Sequence, residues 1–248
     1  MTDPANTPLS PMATLRWAVV SRCLDQISPT SVLEVGCGQG GYGARLAARA
    51  TYLGVEPDAA SCALAQERIE PLGGRVQCGT TDDLTTQESF DLLCAFEVIE
   101  HLERDVEALR DWSRFVRPGG WMMVSVPAWP DRFSPMDELV GHYRRYTPEG
   151  LRDVIAEAGA TDVDVRLYGW PLGFALEGVR NRIAARRKRT VSSHEDSMAT
   201  RSAASGRLFQ PRAVVADAVR LGVSPFTRAQ FLKPDSGTGL VAIGRVAG

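Results

Sequence analysis

The sequence contains no run approaching the roughly 18–20 apolar residues that a transmembrane helix needs, so a membrane-spanning protein is not expected. None of its five cysteines forms a Cys-x-x-Cys pair, which argues against a zinc cage or a disulfide framework and predicts reduced thiols. The first twelve residues have neither the basic segment nor the apolar core of a secretory signal. We therefore expect a cytoplasmic protein.

The composition is that of one large globular domain. Of the 248 residues, 44% are hydrophobic and 23% are charged. The formal net charge of -2 argues against strong polyanion binding by the chain as a whole. Residues 170–234 differ, because 12 basic residues stand there against 4 acidic ones, a surplus of eight positive charges. Such an asymmetry concerns the partners of a protein and not its fold.

Apolar stretches of strand length alternate with helical patterns along most of the chain. Strands are predicted at 31–35, 52–55, 76–78, 90–96, 121–126, 162–168 and 239–246. Helices are predicted at 12–27, 42–49, 59–70, 105–116 and 148–158. The alternation predicts an α/β fold: a Rossmann-like, doubly wound, mostly parallel seven-stranded sheet with helices on both faces.

The domain organisation follows from this pattern. Residues 12–168 and 236–248 are expected to form the sheet domain, preceded by a flexible tail at 1–11 that contains three prolines. Residues 169–235 have too few large apolar residues for a core of their own. They are therefore predicted to form a basic helical lid inserted before the last strand.

The predicted lid has three parts. An apolar stripe indicates a first helix, which leads into a run of Arg and Lys side chains. Residues 190–206 are rich in Ser, Thr and Ala and are expected to be flexible, whereas 208–221 are expected to be helical. The stripe consists of Leu172, Leu176, Val179 and Ile183.

A glycine-rich turn follows the first predicted strand. Gly36, Gly38 and Gly41 match the pattern Gly-x-Gly-x-x-Gly, in which glycines let a ligand approach the backbone at the start of a helix. The pattern suits a dinucleotide or another adenosine compound, and a simple tight turn is the alternative. Glu56 ends the second predicted strand, where a carboxylate can accept hydrogen bonds from both hydroxyls of a ribose.

These features belong to an ordered series of motifs. The series comprises Leu33-Glu34-Val35-Gly36-Cys37-Gly38-Gln39-Gly40, the acidic end of strand two, Phe90-Asp91, Val98-Ile99-Glu100-His101 and Arg117-Pro118-Gly119-Gly120. It resembles the class I S-adenosylmethionine-dependent methyltransferases, in particular the branch of the ubiquinone-biosynthesis O-methyltransferases. The resemblance covers about residues 16–168 and the last strand. It implies the fold given above, S-adenosyl-L-methionine as cofactor and methyl transfer as activity.

The resemblance also implies roles for single residues. Gly36 and Gly38 would pass under the methionine part of the cofactor, with Glu34 holding the turn or, through water, the ammonium group. Arg16 would lie near the cofactor carboxylate, although a solvated helix face explains an arginine there equally well. The implied cofactor-binding residues are Arg16, Glu34, Gly36, Cys37, Gly38, Glu56, Pro57, Thr81, Asp82, Asp83, Phe96 and Glu97.

Transfer to a hydroxyl requires removal of its proton, and one segment offers the groups for this. Glu97, Glu100 and His101 follow the fourth strand, so that His101 could act as a general base held by a carboxylate. They could also brace the turn structurally. Small-RNA 2′-O-methyltransferases, similar in fold, bind magnesium through Glu-x-x-Glu-His and a downstream His, a part that His142 could play. The catalytic candidates are therefore His101, Glu100 and His142, with a Mg²⁺ site of Glu97, Glu100, His101 and His142 as the alternative.

The acceptor is expected to contact the segment after the fifth strand. Arg144, Arg145 and Tyr146 are the candidate substrate-binding residues, because Arg matches a carboxylate or phosphate bidentately. The same arginines could instead pin the lid through salt bridges to Asp131 or Asp137. The stripe and basic run at 172–189 suit either peripheral contact with an anionic membrane or a lid helix packed on the core.

Together these residues predict an enzyme that methylates a small-molecule or lipid-linked acceptor at a hydroxyl oxygen. The alternatives are an N-methyltransferase, a metal-dependent RNA 2′-O-methyltransferase, or a cofactor-binding regulatory protein without turnover. Nucleic acid is not the expected partner, because the single basic run has few aromatic residues interleaved with it. The oligomeric state is left open.

Overall fold

The structure, a computed structural model, describes residue 7 and residues 9–84, 88–190 and 213–247. In this part of the chain, seven strands form a single sheet in the order β3-β2-β1-β4-β5-β7-β6. The strands are β1 (Ser31–Val35), β2 (Thr51–Glu56), β3 (Arg75–Cys78), β4 (Phe90–Phe96), β5 (Val116–Pro127), β6 (Ala160–Gly169) and β7 (Gly237–Val246). β7 runs antiparallel to both of its neighbours, whereas the other pairs are parallel. The predicted, mostly parallel doubly wound sheet is confirmed.

Helices cover both faces of the sheet. They are α1 (Pro11–Ile27), α2 (Gly43–Ala47), α3 (Ala59–Ile69), α4 (Asp105–Ser113), α5 (Pro135–Val140), α6 (Pro148–Glu157), α7 (Leu172–Thr190) and α8 (Ala213–Ala229). Successive strand residues point to opposite faces, so that Leu93 packs with α4 and α6 while Leu92 packs with α1, α2 and α3. The sheet therefore separates two apolar layers, and both contribute to the core.

Some element bounds differ from the predictions. α4 ends at Ser113 and not at Val116, because Val116 already pairs with Phe90 at the start of β5. β5 begins five residues earlier than predicted, and its register shifts between Phe90 and Leu92. α2 is shorter than predicted at both ends.

Helix α5 was not predicted. Ser134 caps it and Asp137 accepts a hydrogen bond from the Ser134 backbone in return, which completes a capping box. Pro135 occupies the first helical position, where a missing N–H costs nothing. The helix has only six residues, too few for a periodic apolar pattern.

The prediction that all cysteines are reduced thiols is wrong. Cys62 in α3 and Cys78 at the end of β3 form a disulfide across 16 residues of sequence, with their Cα atoms 5.6 Å apart. The prediction considered cysteines close in sequence, whereas the crossover from α3 to β3 brings these two together in space. Cys23, Cys37 and Cys94 are buried free thiols.

The lid region begins as predicted and then differs. α7 starts at Leu172, and the second helix, α8, extends to Ala229, beyond the predicted end at 221, whereas its predicted start at 208 lies outside the described residues. The predicted flexible stretch at 190–206 lies outside the described residues apart from Thr190, and most of the predicted tail at 1–11 also lies outside them. None of the helices in the described ranges combines the length and hydropathy needed to cross a bilayer.

Candidate functional site

The turn after β1 depends on backbone conformations that favour glycine. Gly36, Gly38 and Gly40 have φ angles of 71°, 56° and 77°. A Cβ atom on Gly36 would lie 2.7 Å from a methyl group of Val98, so there is no room for a side chain there. A Cβ atom on Gly38 would meet no atom within 4 Å. The turn is therefore packed on one side and open above Gly38, where a ligand can reach the backbone.

Glu56 connects the end of β2 to this turn. Its Oε2 accepts a hydrogen bond of 2.8 Å from the backbone N–H of Gly38, and its Oε1 accepts one of 2.9 Å from Asp58. Burial raises the pKa of Glu56, although the two backbone N–H groups act in the opposite direction. Each oxygen keeps a further lone pair for a ligand hydroxyl.

Glu34 lies beneath the turn and is buried. Its Oε2 accepts a hydrogen bond of 2.6 Å from the Tyr52 hydroxyl. Burial raises the pKa of Glu34 to about 8, although the Tyr52 hydroxyl and Arg16 oppose this rise. Glu34 is therefore largely protonated at neutral pH and supports the turn as a neutral group.

The segment after β3 differs in exposure from residue to residue. Thr81 is buried, whereas the Asp82 side chain is 91% exposed and lies 3.9 Å from Arg114. Asp83 accepts hydrogen bonds from the backbone N–H and the hydroxyl of Thr80, which lower its pKa. Of the three predicted adenine contacts, only Thr81 is buried, whereas Asp82 and Asp83 are exposed.

Three further implied cofactor contacts lie around the turn. Cys37 is buried within it, and Pro57 is exposed directly after Glu56. Phe96, at the end of β4, is buried and packs edge-on against Tyr42, with ring centroids 5.1 Å apart.

Arg16 does not lie on a solvated helix face, so that alternative is wrong. Its side chain is only 12% exposed and its Nη1 lies 2.7 Å from Glu97 Oε1. It also donates to the hydroxyls of Tyr42 and Ser125, at 2.9 and 3.0 Å. Burial would lower the pKa of Arg16, but the neighbouring Tyr42 and Glu97 raise it well above the usual value. α1 is thereby joined to the carboxyl ends of β4 and β5.

Glu97 holds its side chain in this group at the cost of backbone strain. Its φ angle of 58° is in the left-handed region, which a non-glycine residue rarely adopts. Burial would raise the pKa of Glu97, but Arg16 and, further away, His142 lower it. Glu97 is therefore a carboxylate at neutral pH.

Glu100 is the opposite case. It is fully buried, and neither carboxyl oxygen forms a hydrogen bond to another residue that the structure describes. Burial and the nearby charge of Glu97 raise the pKa of Glu100 well above its usual value. The pKa values of two glutamates three positions apart are thus shifted in opposite directions, which is a frequent property of catalytic sites.

His101 and His142 pack edge-to-face beside Glu100, with ring centroids 4.6 Å apart. His142 Nδ1 lies 2.8 Å from Asp137 Oδ1, and His101 Nδ1 lies 3.3 Å from the carbonyl oxygen of Gly141. We place a ring proton on each Nδ1 atom, because both Nδ1 atoms face acceptors. Burial and His142 lower the pKa of His101 to about 4, so that its ring is neutral at pH 7.

Three of the four residues of the alternative metal site come together. Glu100, His101 and His142 each offer one ligand atom, and these atoms lie within 4.8 Å of one another. Glu97 is paired with Arg16 instead. The metal interpretation therefore has three candidate ligands in the described part of the chain.

Comparison with known proteins identifies the domain. Residues 33–124 match the model of a family described as a methyltransferase domain. The chain contains a methyltransferase domain. A probable S-adenosylmethionine-dependent methyltransferase of Mycobacterium tuberculosis is 31% identical over 150 residues, which are 58% of this chain and 54% of that protein. The resemblance to these enzymes is confirmed.

Two more proteins extend the comparison. A ubiquinone biosynthesis O-methyltransferase of Nitrobacter winogradskyi is 33% identical over 111 residues, 42% of this chain and 41% of the relative. The chain thus spans about half the length of the curated relatives that it matches. The crystal structure of phosphoethanolamine N-methyltransferase 2 of Haemonchus contortus with S-adenosyl-L-methionine has a TM-score of 0.57 and 17% identity. The match covers 94% of this chain and 53% of the Haemonchus protein, and at this identity it supports the fold alone.

The loop beside His101 and His142 holds the predicted substrate-binding residues. Arg145 is buried and forms a bidentate pair with Asp137, with N–O distances of 2.9 and 2.8 Å. Arg144 lies 3.1 Å from Asp105, and the Tyr146 hydroxyl donates to the same carboxylate at 2.6 Å. All three side chains thus contact protein acceptors. Of the two salt bridges suggested for these arginines, to Asp131 or to Asp137, the described part of the chain contains the one to Asp137.

Three residues of the site, Ser125, Tyr168 and Tyr42, were not predicted, and Asp137 was expected only as a salt-bridge partner of the arginines. Asp137 orients His142 and pairs with Arg145, while Ser125 and Tyr168 lie 3.1 and 3.4 Å from Glu97 Oε1. Burial would raise the pKa of Asp137, but His142, Arg145 and Ser134 lower it far below its usual range. Tyr42 contacts Arg16 from the N-cap position of α2. An acidic residue five positions before a histidine was the available signal for Asp137.

Proposed function

We propose that the chain transfers the methyl group of S-adenosyl-L-methionine to a hydroxyl oxygen of a small-molecule or lipid-linked acceptor. The observation that carries the proposal is the juxtaposition of Gly38 and Glu56. Gly38 has open space above it, and Glu56 holds that turn through Oε2 while its Oε1 accepts a hydrogen bond from Asp58. A carboxylate beside an open glycine turn at the carboxyl ends of β1 and β2 fits an adenosine ligand.

Different residues would bind different parts of such a cofactor. Gly36 and Gly38 would contact its methionine part, Glu56 would accept hydrogen bonds from its ribose hydroxyls, and Thr81 would border its adenine. Arg16 and Glu97 close the other side of the turn through their ion pair. When bound, S-adenosyl-L-methionine supplies an electrophilic methyl group on a sulfonium. The protein then needs to align an oxygen with that methyl group and keep water away.

The two histidines favour oxygen as the acceptor atom. A hydroxyl must lose its proton as it attacks the methyl group, whereas a neutral amine needs no base beforehand. His101 is neutral at pH 7, and its Nδ1 faces the carbonyl oxygen of Gly141, which leaves Nε2 to accept a proton. Asp137 fixes the ring of His142 beside it. The proton of the acceptor hydroxyl would pass to Nε2 of His101 while the oxygen–methyl bond forms and the sulfonium–methyl bond breaks.

A metal-assisted reaction is the second candidate, and Glu100 favours it. A buried carboxyl group that forms no hydrogen bond to another described residue, beside two imidazoles, is a set of groups that can bind a metal ion. Two imidazoles and one carboxylate suit a transition metal such as Mn²⁺ or Zn²⁺ better than Mg²⁺, which prefers oxygen ligands. An ion there would lower the pKa of a coordinated hydroxyl and take over the task of the base.

Glu56→Ala tests the proposal directly. Two charge-assisted hydrogen bonds of roughly 1.5–3 kcal/mol each would be lost, so the affinity for S-adenosyl-L-methionine should fall at least tenfold in calorimetry. Glu67→Ala, an exposed glutamate on α3, is the matched control and should bind as the wild type does. Unchanged affinity in Glu56→Ala would contradict the assignment of this site.

Labelled cofactor and cell extract, with products identified by mass spectrometry, then distinguish the acceptor atoms. A methyl ether supports the proposal, a methyl ester would show a carboxylate acceptor instead, a methylamine supports an N-methyltransferase, and labelled RNA supports a 2′-O-methyltransferase. Full turnover after exhaustive dialysis against EDTA leaves the histidine base, whereas loss restored by Mn²⁺ or Zn²⁺ favours the metal. Binding without any labelled product would indicate a regulatory protein.

A further inference from the structure

The lid helix α7 packs on α5 with polar residues as well as apolar ones. Glu177 accepts hydrogen bonds from Arg132 and, at 2.5 Å, from Arg145, while Asn181 accepts one of 2.9 Å from the Ser134 hydroxyl. These contacts lie on the side of the helix that faces the candidate site. Polar side chains thus occupy much of the surface that an amphipathic lid helix would give to its apolar stripe.

The second half of the predicted apolar stripe points the other way. Val179 is 52% exposed and Ile183 is 39% exposed, while Ala184 on the inner side is 1% exposed. This half of the stripe is therefore exposed, while the start of the helix packs against the core as the lid interpretation expected. Arg182 and Arg186 are exposed as well, and the spacing 179, 182, 183, 186 places all four side chains on one helix face. We call these four residues the outer face of α7.

We propose that the outer face of α7 docks on an anionic lipid surface. Two aliphatic side chains that alternate with two guanidinium groups match such a surface, since the aliphatic groups enter the headgroup boundary and the cations meet the phosphates. The charge of the surrounding segment agrees, because residues 170–234 carry eight surplus positive charges in a chain whose net charge is -2.

The position of this face relative to the site gives docking a use. The inner side of the same helix carries Glu177, which pairs with Arg145, and Arg145 in turn pairs with the Asp137 that orients His142. A helix seated on a membrane would therefore hold the histidines close to acceptors dissolved in that membrane. Docking itself does not depend on methyl transfer, and it can be tested without turnover.

The experiment measures cosedimentation of the full chain with phosphatidylcholine vesicles that contain or lack phosphatidylglycerol. We expect binding only to the anionic vesicles, weakened by salt. The charge variant, Arg182→Glu with Arg186→Glu, should reduce the partition coefficient on the order of tenfold or more, since each cation near an anionic surface contributes about fivefold. The apolar variant, Val179→Gln with Ile183→Gln, should also reduce it, because Gln retains helix propensity but not the aliphatic contact.

Matched changes elsewhere serve as controls. Arg152→Glu on α6 and Leu64→Gln on α3 alter an exposed arginine and an exposed leucine away from the lid, and both should bind as the wild type does. Circular dichroism checks that every variant is folded.

Three results would overturn the proposal. The first is the absence of wild-type binding to anionic vesicles. The second is equal binding by the wild type and either outer-face variant, which would place the contact elsewhere or make it a general charge effect. The third is a fall in molecular mass on light scattering when Val179 and Ile183 become Gln, which would show that a second copy of the chain occupies this face.

Discussion

The raised pKa of Glu34 makes stability depend on pH in an unusual direction. Glutamates that gain partners on folding commonly stabilise the native state as pH rises, but burial moves the pKa of Glu34 from 4.5 to about 8. Below 4.5 the carboxyl group is protonated in both states. Between 4.5 and about 8 the unfolded chain loses this proton while the folded protein keeps it, so the free energy of unfolding falls as pH rises.

The size of the effect follows from the same interval. One pKa unit corresponds to about 1.4 kcal/mol, and the shift from 4.5 to about 8 therefore corresponds to at most about 5 kcal/mol. Glu34→Gln removes the titrating group but keeps an oxygen that can accept the hydrogen bond from Tyr52. Above the folded pKa the variant should be more stable than the wild type by up to this amount, and the difference should vanish at acidic pH.

Urea unfolding followed by circular dichroism at a series of pH values measures this difference. Glu67→Gln is the matched control, because Glu67 is exposed and its replacement should leave the pH profile of stability unchanged. Tyr52→Phe provides a second check, since loss of the hydroxyl that opposes the rise should move the pKa of Glu34 higher still. Parallel stability profiles for the wild type and Glu34→Gln would refute the reasoning.

Two other predictions concern the lid contacts and the cysteines. Arg145→Met leaves Asp137 and Glu177 without a buried cation, so the free energy of unfolding should fall by about 3–5 kcal/mol in urea titrations. Arg152→Met on α6 should change it little, and an equally small change in Arg145→Met would show that the pairs are not formed. Under denaturing conditions without reductant, thiol labelling should modify Cys23, Cys37 and Cys94 and not the bonded pair Cys62 and Cys78. Labelling of all of them would contradict the disulfide.

Local patterns predicted the fold and the turn well. β1 and β4 have the predicted bounds, because a glycine follows the apolar run of β1 and a charged residue follows that of β4. The left-handed φ angles of Gly36 and Gly38 are conformations that glycine adopts freely, so the position of the turn after β1 could be read directly from the residue type. The proximity of Glu100, His101 and His142 was also expected, since the first two follow β4 and the third follows β5, its neighbour in the sheet.

The partners of charged residues could not be predicted in the same way. Arg145 looks the same in sequence whether its guanidinium meets a substrate or Asp137 and Glu177, because the second carboxylate comes from a helix 27 residues later, α7. The face of α7 that packs inward could not be predicted for the same reason. The apolar spacing defines a stripe, but Glu177 pairs with Arg132 and Arg145, and these contacts place its side of the helix inward. Cys62 and Cys78 meet only through the packing of α3 on β3.

The position of β7 has a consequence for the order in which the molecule assembles. β7 lies between β5 and β6, although α7 and α8 separate it from β6 along the chain. A ribosome therefore releases β5 and β6 long before the strand that joins them. Until then the apolar edge of β5, from Met122 to Val126, exposes unpaired backbone groups that another chain could engage. Completion of the sheet must wait for the lid to be synthesised, so that changes in the length of the lid would affect the yield of folded protein even where they leave its final stability unaltered.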